Sequence, residues 1–298
     1  MELTESDDRT IIVPTEDGRA LGVCEWGDAE GAPIFWLHGT PGSRLLRHPG
    51  ERYLTHHLRV YTYDRPGYGL STRVPGRRVA DAAADVRTIA DHMGLEGFGV
   101  AGVSGGASSA LATAALLSDR VDRCAVVVGG APFTAEGLDF YAGMDEEARQ
   151  GWERANQGPE ALEAEWRELL EWVDSGMPGL DVAEDVMAML SETVHEATRQ
   201  GPGGFLDDCL SEVRDWGFSL QDVRAPTCIM LARDDASVPP AHGEWLVSHL
   251  PDAALTWVDG GHFGPRDEPE MRLLAWVGHS ADSAMGPDLS QGSQPTTG

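Results

Sequence analysis

Alternation restricts the fold of this chain more than any other feature. Eight short apolar runs, at Thr10 to Val13, Ala20 to Trp26, Ile34 to Leu37, Val60 to Tyr63, Phe98 to Val103, Arg123 to Val128, Cys228 to Ala232 and Leu255 to Val258, are separated by segments of a different period. Runs such as IFWL, AVVV and CIML lack the period-two pattern of a strand with one wet face, so both of their faces should be covered. The separating segments carry helical signals. ADAAADVRTIADHMG closes on a glycine stop, and the alanine-rich GGASSALATAALLSD begins directly after an apolar run. Strand and helix in turn predict an α/β fold, a parallel sheet flanked by helices.

The alternation stops near Thr134 and resumes near Asp222. The block between is rich in acidic helix formers, as in GPEALEAEWRELLEWVDSG, and has no strand pattern. It reads as a helical insertion over residues 134–215 in a core made of residues 10–133 and 216–280; it is too long for a loop. Twenty-one Asp and Glu against five arginines give the block a net charge of −16, more than half of the −27 carried by the whole chain. Most of these carboxylates should line the solvated faces of amphipathic helices. A few that point inward would attract a cationic end of a substrate. Residues 1–9 and 281–298 are small, polar and rich in Gly, Pro and Ser, and are expected to be disordered tails.

Composition narrows the chemistry. All 22 basic residues among the 298 are arginine; there is no lysine. A Schiff-base lysine, a phosphate-binding GxxxxGK[ST] loop and an SxxK acylating serine are therefore excluded. The negative charge repels nucleic acid and anionic lipid, so neither is expected as a partner. No apolar run reaches the roughly 18 residues of a membrane span, and MELTESDDRT lacks the basic and apolar regions of a signal peptide. Cys24, Cys124, Cys209 and Cys228 form no CxxC pair and read as reduced thiols of a cytoplasmic protein. No histidine pairs with cysteine at zinc spacing, and neither a metal nor an organic cofactor is expected. Oligomeric state is not legible.

One stretch carries nucleophile chemistry. Phe98 to Val103 runs into Gly102-Val103-Ser104-Gly105-Gly106 and then into the alanine-rich helix, which is a GxSxG motif in a strand, turn, helix context. The helix that follows aims its backbone amides at developing negative charge. Serine needs a base, and the base needs an orienting carboxylate. Downstream, the run CIMLA ends at Asp234 and Asp235, and the run ALTWV ends at His262, giving the order Ser, Asp, His with either aspartate eligible. The C-terminal edge of a parallel sheet is where such sites gather.

With these motifs the chain resembles the α/β-hydrolase superfamily from about residue 10 to residue 279. His38-Gly39-Thr40-Pro41-Gly42 and Asp64-Arg65-Pro66-Gly67-Tyr68-Gly69-Leu70-Ser71 are also similar to motifs of that family. The resemblance implies an eight-stranded, mostly parallel sheet with the insertion as a helical cap after the sixth strand. It implies Ser104 as nucleophile, His262 as general base and Asp235 as its partner, since Asp235 aligns with Val238-Pro239 in a G-x-x-D-x-x-V-P pattern whose glycine is here Ala232. It implies an oxyanion hole made by the backbone amides of Gly105 and Thr40. Epoxide hydrolases and dehalogenases carry aspartate where this chain has Ser104. HGTPG is similar to HGGPG of proline iminopeptidases, which makes an aminopeptidase the second reading beside a serine esterase, though the elbow reads GVSGG rather than GGSWG. A non-hydrolytic member of the superfamily, such as a cyclase, lyase, perhydrolase or small-molecule binder, is the third reading.

Around the motifs, His38 should brace the oxyanion loop, and Asp64 with Arg65 should tie the turn after the fourth strand. His242, His249 and His279 are expected at the surface. Trp152, Trp216, Met187 and Phe263 are the candidates for lining a pocket that takes a small-molecule ester, lactone, thioester or amide.

Overall fold

All eight apolar runs become strands of one sheet, each within two residues of its expected bounds. A computed structural model describes residues 9–180, 182–264 and 266–279; apart from Arg9, both expected tails lie outside the described residues. The strands are β1 (Thr10–Pro14), β2 (Ala20–Gly27), β3 (Ala32–Leu37), β4 (Leu58–Tyr63), β5 (Phe98–Val103), β6 (Val121–Val127), β7 (Thr227–Ala232) and β8 (Ala253–Val258). Their order is β1-β2-β4-β3-β5-β6-β7-β8. β2 runs antiparallel to both neighbours, and every other pairing is parallel.

Helices cover both faces, which is why the strands need no polar side. Helices α1 (Arg52–Thr55) and α2 (Ala82–His92) precede β5, and α3 (Gly106–Leu116) follows it. On one face α2 and α3 bury Val86, Ile89, Ala107 and Leu111 against Phe35 and Val100. Every residue of α3 except Leu116 is buried, and its small side chains let the helix lie close on the sheet.

Between β6 and β7 come α4 (Glu146–Gln157), α5 (Pro159–Asp174), α6 (Glu184–Thr198) and α7 (Gly203–Glu212); α8 (Pro240–His249) and α9 (Asp267–Gly278) follow later strands. On the opposite face of the sheet α9 buries Leu273, Leu274 and Val277, each worth about 2 kcal/mol of transfer free energy. The inserted helices have an apolar centre of their own around Leu162, Trp166, Phe205 and Leu206. Their carboxylates are less solvated than the sequence suggested. Glu196 pairs with Arg44 at 2.6 Å, Glu192 with Arg47 at 2.9 Å and Asp207 with Arg73 at 2.8 Å, so part of the acidity fastens the insert to core arginines.

His242 also departs from expectation. It is buried, because the adjoining Gly243 packs directly on Ile229 and Leu231 and turns that side of α8 to the sheet. Its Nε2 lies 2.9 Å from the Phe140 carbonyl. All four cysteines are free. Among the described residues no helix is long and apolar enough to cross a membrane, and no group of side chains could hold a metal ion.

Candidate active site

Between β5 and α3 the chain turns within two residues, and Ser104 occupies the turn with φ of +52°. A side chain rarely adopts that region, and such strain collects where a reactive group is held out from the backbone. The flanking glycines are sterically required. A Cβ at Gly102 would collide with the Gly106 carbonyl, and one at Gly106 with the carbonyls of Leu37 and His38.

The loops after β7 and β8 bring the other two residues to the serine. His262 Nε2 lies 2.9 Å from Ser104 Oγ, and Nδ1 lies 2.8 Å from Asp235 Oδ2. Asp235 is buried, and its Oδ1 accepts the amides of Ser237 at 2.9 Å and Val238 at 2.7 Å. A carboxylate anchored in this way accepts from Nδ1–H and leaves the Nε2 lone pair facing the serine hydroxyl. Asp234, the other eligible acid, is exposed and does not reach the histidine.

The His262 loop is itself held by charge. Arg266 donates to the His262 carbonyl at 2.5 Å and pairs through Nε with Glu270 at 2.7 Å; Glu270 also meets His48 at 2.9 Å. Burial alone would raise Glu270, but Arg266 and His48 overcome it and hold its carboxyl at about 2. Burial alone would lower His48, yet Asp267 and Glu270 raise it to about 9.

Beside Ser104, Thr40 packs against Gly105: a Cβ there would strike the Thr40 hydroxyl, with the Thr40 Cβ 3.0 Å and the Thr40 nitrogen 3.4 Å away. His38 braces this loop from below. It is buried, its Nδ1 is 2.7 Å from the Gly39 carbonyl, and its Nε2 accepts the Arg65 amide at 3.3 Å. Burial and the Arg65 guanidinium push the imidazole well below its usual range, so it stays neutral. Arg65 does more than tie its own turn: it donates to the carbonyls of His38 and Gly39, to Thr40 Oγ1 and to Asp208. Asp208 was not singled out in the sequence. In GGFLDDCL it stands beside a second aspartate, Asp207, and nothing local distinguishes the two.

Two chambers meet at Ser104 and His262, with Phe263 lining both and 47% exposed at their junction. One, of about 510 Å³, presents Leu46, Val186, Met189, Leu190 and Val194. The other, of about 710 Å³, presents Trp152, Trp172, Cys209, Glu165 and Glu212. Glu165 Oε2 is shielded from solvent without a hydrogen-bond partner among the described residues, and burial raises its carboxyl. Glu212 accepts from Ser108 Oγ on α3, and burial, reinforced by Asp208, pushes it up to about 7.

Two expected lining residues are elsewhere. Trp216 packs into the core beneath the sheet and stacks on Phe218 at 5.9 Å, because the chain has already returned from the insert. Met187 packs against Val173, Met177 and Val194 within the insert. The face of α6 turned to the chamber is Val186, Met189, Leu190 and Thr193, a spacing of three, four and seven residues that leaves Met187 about 100° away.

A family model described as the alpha/beta hydrolase fold matches residues 32–269. A putative carbamate hydrolase, RutD, of Azorhizobium caulinodans is 29% identical over 237 residues, which cover 78% of this chain and 84% of the relative. A bifunctional esterase/perhydrolase of Acinetobacter calcoaceticus is 31% identical over 128 residues, 40% of this chain and 44% of the relative. An esterase from Exiguobacterium antarcticum superposes with a TM-score of 0.68 at 20% identity, covering 89% of this chain and 98% of its own. With a family match spanning the sheet from β3 to the start of α9, the chain belongs to the alpha/beta hydrolase fold family.

Proposed function

We propose that the protein is a serine hydrolase acting on a small-molecule ester, lactone, thioester, carbamate or amide. The observation that carries this reading is the hydrogen-bonded line from Asp235 through His262 to Ser104, at 2.8 and 2.9 Å, lying where two chambers meet. Ser104 Oγ attacks the carbonyl carbon as His262 Nε2 takes its proton, and Asp235 stabilises the imidazolium that forms. The amides of Gly105 and Thr40 bind the oxyanion, each such donor lowering the barrier by roughly 3 kcal/mol. His262 then protonates the leaving group, and water, deprotonated by the same histidine, releases the acid from the acyl-enzyme. The route calls for no cofactor.

The chambers suggest a substrate with two unlike ends. The first, walled on its α6 side by Val186, Met189, Leu190 and Val194 and on another by Arg47, His48, Arg266 and Glu270, suits an alkyl or aryl group laid against α6. The second, with Glu165 and Glu212, suits a cationic or strongly hydrogen-bond-donating end, since an enclosed carboxylate is stabilised by a partner of opposite charge. Two assays test the reading together. A fluorophosphonate should label the wild-type protein and not Ser104→Ala, and among matched p-nitrophenyl esters those with an amine on the acyl chain should be preferred over their methyl isosteres. An unlabelled wild-type protein would overturn the serine mechanism; equal rates for amine and methyl would overturn the assignment of the second chamber.

A further inference from the structure

Asp208 is the most heavily bonded carboxylate near the site, and it comes from the insert rather than from the core. It lies on α7 and receives Arg65, Arg77, Tyr68 Oη at 2.8 Å and Thr40 Oγ1 at 2.9 Å. Burial alone would raise its carboxyl, but Arg65 and Arg77 hold it far below the carboxylate range, so it is ionised whenever the protein is folded. An enclosed ion group of this kind gains little stability over apolar packing. What it does fix is position.

Thr40 is held at both ends of its hydroxyl. The hydrogen goes to Asp208, and the oxygen accepts from Arg65 Nη2 at 3.0 Å, which sets the side-chain torsion and with it the backbone of the residue. Thr40 packs against the Gly105 backbone beside Ser104: a Cβ on Gly105 would strike the Thr40 hydroxyl and lie 3.4 Å from the Thr40 nitrogen.

We infer that Asp208 is a positioning residue for the oxyanion site: through the Thr40 hydroxyl it aims the Thr40 amide, which makes α7 of the insert part of the catalytic geometry. This rests on the serine-hydrolase reading above, in which that amide binds the oxyanion. A side chain that acts in this way leaves substrate binding alone and matters only as the carbonyl becomes tetrahedral.

Thr40→Val removes the hydroxyl while keeping the branched shape, and Asp208 retains Arg65, Arg77 and Tyr68, so the fold is preserved. Losing one oxyanion donor outright costs 10²- to 10³-fold, so a misaimed one should lower kcat by about 10-fold or more, with KM within about twofold. Affinity for an alkyl boronic acid, whose serine adduct is tetrahedral, should fall in parallel. Thr40→Ser restores the hydroxyl and should restore kcat. Asp208→Asn, checked for a native circular dichroism spectrum, should show the same loss of kcat, and a folded Asp208→Asn with wild-type kcat would equally overturn the inference. A wild-type kcat in Thr40→Val, a loss confined to KM, or a Thr40→Ser as slow as Thr40→Val would overturn the inference. Turnover by Ser104→Ala at the wild-type rate would instead overturn the reading beneath it.

Discussion

Glu212→Gln should stabilise the protein above neutrality and leave it little changed in mild acid. Burial raises the Glu212 carboxyl to about 7, whereas the same group in an unfolded chain has its ordinary value of 4.5. Between those two values the folded protein keeps a proton that the unfolded chain has released. Stability therefore falls as pH rises through the window from 4.5 to 7, and above it the full cost of the buried charge remains. A displacement of about 2.5 units at 1.36 kcal/mol each gives about 3 kcal/mol. Glutamine keeps a carbonyl to accept the Ser108 hydroxyl and has no charge to bury. Urea unfolding of both proteins at pH 5, 6, 7 and 8 reads the difference directly, and the advantage of the variant should grow by roughly 2 kcal/mol across that range. A constant difference, or one that grows toward acid, would show that Glu212 carries no buried charge. A carboxylate kept at such a cost suits a site that waits for a cation, so an amine-bearing inhibitor should raise the wild-type melting temperature at pH 8 by more than that of the variant.

Three further outcomes follow from the geometry. Asp235→Asn should leave KM and the melting temperature nearly unchanged while lowering kcat by about 10⁴-fold, because the wrong ring nitrogen then carries the proton; a loss below tenfold would refute the tautomer argument. The His48–Glu270 pair has opposite signs on its two sides: the Glu270 contribution holds above 4.5 and is lost as pH falls toward 2, and the His48 contribution holds below 6.5 and is lost as pH rises through 9. His48→Gln should therefore cost up to about 3 kcal/mol near pH 6 and clearly less at pH 10 in denaturant titrations, and a pH-independent cost would contradict the pairing. Gly102→Ala places a methyl against the Gly106 carbonyl and should destabilise by about 3 kcal/mol or prevent folding, which a thermal melt would read; an unchanged melting temperature would mean that the turn relaxes.

Much of this protein could be read along the chain because its signals are local. Runs such as IFWL and CIML announce doubly covered strands, and Gly102 marks a turn in which a Cβ would strike the Gly106 carbonyl four residues on. Ser104 and His262 were legible as candidates because each lies within four residues of a strand's C-terminal end, whereas Asp235 and Asp234 share that position and only the resemblance to the family pattern separated them. What escaped depends on contacts between distant segments. Asp208 pairs with arginines more than 130 residues away, and no periodicity in the acidic block separates it from its solvated neighbours. Met187 and Met189 differ by two residues, but only the docking of α6 decides which of them meets the chamber. Trp216 lies one residue beyond the acidic block and already belongs to the core, a boundary that composition does not register. His242 looked like a surface residue until the packing of Gly243 on β7 turned it inward.

Everything proposed for the site passes through one covalent bond, between Ser104 Oγ and an acyl carbon. Intact-protein and peptide mass spectrometry on samples acid-quenched during turnover of a slowly deacylating p-nitrophenyl ester measures that bond directly. The expected result is one acyl group per chain, located on the peptide containing Ser104, and its absence from an inactive Ser104→Ala. Release of p-nitrophenol by Ser104→Ala at the wild-type rate, with no adduct on the wild-type serine, would contradict it.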